Sequence, residues 1–113
     1  MSDYWAALDS LVGASVIKID RPKGSRHPRF PEIVYPLDYG YLEGTVGGDG
    51  DGIDVWLGSS GHRGVTGVVV TVDLHKKDTE QKILCGCSFD EAESIRDFHE
   101  LNEQGALLLW RSG

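Results

Sequence analysis

Three carboxylates, Asp49, Asp51 and Asp54, fall within six residues, interleaved with Gly47, Gly48, Gly50 and Gly52 and with no lysine or arginine among them. Regular secondary structure does not suit such a stretch. In a strand Asp49 and Asp51 would share a face and Asp54 would point the other way, so the three meet only if the chain turns between them. Glycine tolerates the positive φ that such a turn needs. Like charges held a few ångströms apart push one another's pKa up unless a cation neutralises them. Oxygen-only ligands favour a hard ion, Mg2+ or Mn2+ before Zn2+. An EF-hand loop does not fit, because Ile53 stands where its fifth-position oxygen ligand belongs and Ser60 where its twelfth-position glutamate belongs. The competing reading is a solvated acidic turn, since Asp-Gly pairs are common turn formers.

A second cluster has the opposite sign. Arg21, Lys23, Arg26, His27 and Arg29 lie close together with no acid between Arg21 and Arg29, in a chain of formal net charge -7. Cations concentrated in one Pro/Gly-containing segment of an acidic protein look placed for an anion, and arginine's planar fork suits phosphate oxygens. Alone, the strip reads as a solvated loop. Beside a carboxylate cluster it describes a site for a metal-phosphate complex.

The run Tyr35, Pro36, Tyr39, Gly40, Tyr41, Thr45, Asp49, Gly50, Asp51 and Asp54 resembles, without a gap, the pattern of the soluble family I inorganic pyrophosphatases. Upstream, VIKIDRPKGSRHPRFPE is similar to the family's opening strand and its Lys-Tyr-Glu element, with Arg29 and Phe30 at the Lys-Tyr positions. Downstream, TVDLHKKDTEQKIL resembles a strand-loop-strand that carries further acids and a phosphate-binding lysine, matched by Lys82. The resemblance implies roles. Asp49 and Asp54 would ligate metal, and Asp51 would orient and deprotonate the attacking water. Tyr39 would hydrogen-bond a phosphate or the nucleophile, while Arg29, Lys82, Tyr35 and Lys23 would bind substrate. Asp73, Asp78 and Glu80 compete for two further metal-binding positions. The implied cofactor is Mg2+, or Mn2+, and the implied substrate is pyrophosphate or a related phosphate.

Departures from the pattern fall in the phosphate clamp. Gly52 stands where the family usually has proline or glutamate, and the opening-strand glutamate is replaced by Lys18 or displaced to Asp20. Pro31 replaces the glutamate of Lys-Tyr-Glu, with Glu32 one place late, and only Glu32, Ile33 and Val34 separate Pro31 from Tyr35. Where the family's C-terminal helix carries a phosphate-binding Tyr-Lys pair, this chain has Phe98, His99 and Glu100. Two functions therefore stand side by side. One is Mg2+-dependent hydrolysis of inorganic pyrophosphate with an aspartate base. The other is a non-catalytic or altered-specificity module that binds a metal-phosphate or nucleotide on the same fold.

With 113 residues the chain is long enough for one domain, 1–113, with little core to spare. The N-terminal MSDYWAALDS lacks a basic start and an apolar core of a leader, and no apolar run is long enough to span a bilayer, so cytoplasm is the expected compartment and no membrane partner is expected. The acidic balance argues against nucleic acid as a partner. Cys85 and Cys87, two apart in a strand-like KILCGCSF, would share a strand face as reduced thiols; a C-x-C metal site would need His62, His75 or His99 nearby.

Local signals predict a mainly β domain with helices (α+β). Ser2 or Asp3 caps a short helix bearing Trp5, Leu8, Leu11 and Val12 and ended by Gly13. Strands are expected at 15–19, 33–35, 41–45, 53–57, 65–73 and 82–87. Ser88 and Glu91 form a capping box before a helix that carries Ala92, Ile95, Phe98 and Leu101 and stops at Gly105, with 106–110 as a last strand. Together with the resemblance, this implies a small OB-like barrel flanked by N-terminal and C-terminal helices. Trp5, Trp56 and Trp110 read as core or interface anchors, and apolar surface that so short a chain leaves uncovered predicts a homo-oligomer.

Overall fold

The computed structural model describes residues 3–112. Alternation along three strands decides its architecture. Strands β3 (Ile53–Leu57), β4 (Val65–Asp73) and β5 (Asp78–Cys85) are apolar on both faces. They send Val55, Val68 and Ile83 to one side and Trp56, Val69 and Leu84 to the other, each group largely or wholly excluded from solvent. A sheet buried on both faces needs a cover on both. Helix α1 (Tyr4–Gly13) supplies Leu8 and Val12 to the first side. Helix α2 (Phe89–Leu101) supplies Ala92 and Ile95 to the second.

With β1 (Ile17–Arg21), β2 (Asp38–Leu42) and β6 (Gly105–Trp110), the sheet has six strands in the order β1-β2-β3-β5-β4-β6. The β3–β5 pairing is parallel and the other neighbours run antiparallel. The expected α+β fold with its two flanking helices is what forms. The strands do not close into a ring: β1 and β6 remain as the two edges of the sheet.

Helix ends follow their local chemistry. The Asp3 carboxylate accepts the Trp5 N–H at 3.0 Å, so Asp3 is the cap of α1; Ser2 lies outside the described residues. Ser88 and Glu91 form the anticipated capping box, and Glu91 also accepts the Ser59 N–H at 3.2 Å, tying the start of α2 to the end of β3.

Several expectations need correction. β1 runs Ile17–Arg21, not 15–19, and β5 runs Asp78–Cys85, not 82–87. β2 lies at Asp38–Leu42, not 41–45, because the chain turns at Gly44 (φ +80°) and Thr45 bonds back to the Leu42 carbonyl. No strand forms at 33–35, where only the bridge Arg26↔Val34 closes a loop. Gly105 opens β6 and does not end α2, which stops at Leu101 before Asn102. Cys85 and Cys87 do not share a face: Gly86, at φ +62°, reverses the chain, so the free, buried thiols fall in opposite core layers. Burial raises the pKa of Cys85 to about 11 and that of Cys87 to about 12.

Candidate active site

Gly40, in the YGY run, is what lets β2 close on β1: a Cβ there would lie 1.8 Å from the Lys18 carbonyl oxygen. With β2 seated, strand alternation sets the site. Asp54 lies on the face of Trp56, and Glu80 and Lys82 on the face of Leu84, so three ionisable groups share the α2 side. The Lys82 ammonium donates to Asp54 Oδ2 at 2.6 Å, to Glu80 Oε2 at 2.9 Å and to the Tyr39 hydroxyl at 3.2 Å. Its side chain is 5% exposed, against 23% for Asp54 and 14% for Glu80. Burial alone would discharge such a lysine, yet the Tyr39 hydroxyl and the two carboxylates outweigh it and hold the ammonium above its ordinary pKa. Burial in turn raises the Tyr39 phenol.

Glu80 also meets the glycine loop. It lines one pocket with Asp49 and Asp54, and it and Asp49 titrate apart: Glu80 is raised by burial and then by Asp49, whereas Asp49 is lowered by Glu80 and then by the Asp51 N–H. Asp49 thus adjoins the bonded set of Glu80, Lys82 and Asp54.

Beneath it lies an aromatic floor. Tyr39 packs on Trp56 at 4.6 Å and stacks on Tyr35 at 5.6 Å, and Phe98 of α2 touches both Tyr35 and Trp56. Buried His99 accepts the Trp56 indole N–H at Nε2 (3.3 Å), so its proton sits on Nδ1, 2.8 Å from Gln104 Oε1. Burial, with Lys82 adding, lowers the His99 pKa to about 4. The amide of Gln104 then donates to Asp73 Oδ2 at 3.4 Å. Over this floor opens a cleft of about 330 Å3.

The structure brings Tyr35, Tyr39, Asp54, Glu80 and Lys82 together, with Asp49 reached through Glu80 and Asp73 at the far rim. Other expected residues fall elsewhere. Asp51 is exposed, its N–H spent on Asp49 Oδ1 at 3.0 Å and its carbonyl on Gly47. Asp78 begins β5 opposite Asp73 and does not line the cleft, so of the three competing acids Glu80 and Asp73 face it. Arg29 and Lys23 are exposed and outside it. The reason is local: His27 Nδ1 accepts the N–H groups of both Arg29 and Phe30, and this turn points Phe30 into the cleft. Lys76, Asn102 and Gln104 line the cleft although nothing in the sequence marked them; a lysine in LHKKD reads as a solvated turn.

Among the described residues, no three His, Cys, Asp or Glu side chains are placed to hold a metal ion. Asp54 and Glu80 gather around the Lys82 ammonium instead. The donor chemistry nonetheless suits a hard cation, since every acid here offers oxygen and the repulsion between Asp54 and Glu80 is already being met by an ammonium.

Comparison with known proteins places the chain in a family. The family described as Inorganic Pyrophosphatase matches residues 11–105. The inorganic pyrophosphatase of Streptomyces coelicolor is 30% identical over 109 residues, covering 77% of this chain and 67% of that protein. That of Picrophilus torridus is 32% identical over 111 residues, covering 77% and 62%. The chain thus spans about two thirds of the length of these relatives. The crystal structure of an inorganic pyrophosphatase from Neisseria gonorrhoeae superimposes with a TM-score of 0.59 over 86% of this chain and 78% of that one, at 20% identity, which shows a common fold. From the match across residues 11–105, the chain belongs to the inorganic pyrophosphatase family.

Proposed function

We propose that the protein hydrolyses inorganic pyrophosphate in a Mg2+-dependent reaction with Asp51 as general base. The observation that carries this reading is the network in which Lys82 bonds Asp54, Glu80 and Tyr39, with Glu80 and Lys82 lining the cleft and Glu80, Asp54 and Asp49 lining an adjoining pocket. The Tyr39 hydroxyl can donate to a phosphate oxygen, Lys82 would do so by giving up one of its three present bonds, and Lys76 adds a second cation at the rim. Asp49, Asp51, Asp54, Glu80 and Asp73 would hold the metal, which when bound supplies charge neutralisation and an acidified water. Water attacks one phosphorus, the bond from that phosphorus to the bridging oxygen breaks, and two orthophosphates leave. Asp51, with an exposed carboxylate, is free to take the proton that water loses. Phosphate release from pyrophosphate with and without Mg2+ tests this. Release that Mg2+ fails to stimulate counts against it.

One observation favours the non-catalytic module. Lys82 already bridges Asp54 and Glu80 and offsets part of their charge, so an ammonium holds these acids together without a metal. Mg2+-dependent pyrophosphate binding without turnover would establish that reading in place of the first.

We also propose a homo-oligomer built on β6 and residence in the cytoplasm. Leu107 and Leu109 are 61% and 41% exposed on an edge strand, GALLLW, that carries no charge. Sedimentation giving a monomer at micromolar concentration would remove the oligomer. Free Cys85 and Cys87 suit a reducing compartment, which localisation by fractionation tests. No helix among the described residues is long and apolar enough to cross a membrane.

A further inference from the structure

Pyrophosphate presents only oxygen to its surroundings, so it leaves much of this cleft without a partner. One side is ionic, with Lys82, Glu80, Asp73 and Lys76. The other is aromatic and apolar, with Phe30, Ile33 and Phe98 backed by Tyr35. Phe30 is half exposed, which for a phenylalanine costs hydration unless something covers it. It is also held there. His27 packs on its ring at 5.3 Å and takes its N–H, while Phe30 accepts the Ile33 N–H and His27 donates its own N–H to the Ile33 carbonyl. A phenylalanine fixed over a cleft by its own loop is a built surface.

Size argues the same way. The cleft, about 330 Å3, shares Phe30, Ile33 and Asn102 with a second depression of about 420 Å3 that also touches Leu101, Glu32 and Glu103, acids that leave this end to an uncharged base and not to phosphate. Pockets of about 300–1,000 Å3 take ligands of drug size, which exceeds a pyrophosphate. Charge supplies a third argument. Lys82 is compensated by Asp54 and Glu80, so the cleft offers little net positive charge for a small polyanion. A ligand that gains affinity from stacking as well as from charge suits it better.

Resting on the reading of this site as a phosphoanhydride site, we infer that the preferred ligand is a nucleoside 5′-polyphosphate. Its phosphates lie toward Lys82 and Lys76 and its base lies on Phe30 beside Phe98, with the Asn102 carboxamide at the base edge. Phe30 is then the specificity-determining residue. Where the chain is hydrolytic, water adds to the terminal phosphorus as its bond to the bridging oxygen breaks. A nucleoside triphosphate then yields the diphosphate, orthophosphate and a proton.

The test compares Mg2+ complexes of adenosine 5′-triphosphate, inorganic tripolyphosphate and pyrophosphate by calorimetry on the full chain. Base–aromatic stacking predicts that the nucleotide binds roughly 5- to 100-fold more tightly than tripolyphosphate. Phe30→Ala should erase that advantage while leaving tripolyphosphate affinity in place, and Phe30→Tyr should keep it. Equal affinities for nucleotide and tripolyphosphate in the unaltered protein overturn the inference and leave the phosphoanhydride site standing. If neither polyphosphate nor pyrophosphate binds, both fall.

Discussion

Asp54, Glu80, Lys82 and Tyr39 hang from strands with a paired neighbour on each side, whereas Asp49, Asp51, Lys23 and Arg29 hang from the turns between strands. The first set is largely buried and bonded to itself at 2.6 to 3.2 Å. Most of the second is exposed, and Asp51, Lys23 and Arg29 use only backbone groups to hold their turns. The difference separates two tasks. A strand fixes direction, so its groups can form a network before any ligand arrives. A turn leaves its side chains unspent, available for a ligand or a proton.

The sharpest way to break that division is to alter one residue from each set and ask which quantity moves. Asp51→Asn keeps shape and removes the proton acceptor, so turnover of pyrophosphate should fall by ~10²- to 10⁴-fold. Its folding stability should stay within about 0.5 kcal/mol, as for an exposed surface change. Lys82→Met should do the reverse in emphasis. Removing one partner of a buried ion pair costs about 3–5 kcal/mol, and the partial exposure of Asp54 places this case toward the lower end. Urea denaturation would show the loss, and adding Glu80→Gln should restore part of it. A Lys82→Met protein as stable as the parent would mean that the network is solvated and that the division is false.

A smaller effect comes from the floor beneath the network. His99 is held neutral down to about pH 4 in the folded chain, while the unfolded chain takes up the proton near its ordinary value of 6.5. The folded pKa is the lower one, so this stabilisation is complete above about pH 6.5 and is lost as pH falls toward 4. The linkage amounts to roughly 3 kcal/mol. His99→Gln should flatten the stability profile between those limits. A profile unchanged by the substitution would show that His99 is open to water and does not brace Trp56.

The same division explains what could be read from the chain. β3 and β4 were legible to the residue because Ile, Val and Leu fill both faces and few other elements tolerate such runs. The box of Ser88 and Glu91 was legible because capping is decided within one turn. β2 was misplaced because YGYLEGT is β-like throughout, and the turn at Gly44 settles its end. Spacing marked the acids of the motif, and Phe98 and His99, read as departures from the family's phosphate-binding pair, nonetheless line the cleft. The bonds from His99 to Gln104 and on to Asp73 had no signal, since they exist only once α2 docks on the sheet and β6 begins. Nor could the strip around Arg29 show that a histidine nitrogen would turn it outward.

That strip gives the smallest effect and the finest test of the comparison. Arg29 precedes Phe30 in the chain and is exposed, outside the cleft, so on the proposed reading its guanidinium would act on an incoming phosphate through water. Rim charges change association rates and salt dependence more than residence on the site. Arg29→Ala should therefore weaken pyrophosphate binding by about 2- to 5-fold at low salt, a surface-pair magnitude. The deficit should shrink as ionic strength shortens the screening length to roughly 8 Å and below. Turnover at saturation should not change, because the contact is made before the chemical step. A larger loss that persists at high salt would place Arg29 directly on the phosphate. The loop would then close over its ligand, and a turn residue would join the strand-borne network when substrate binds.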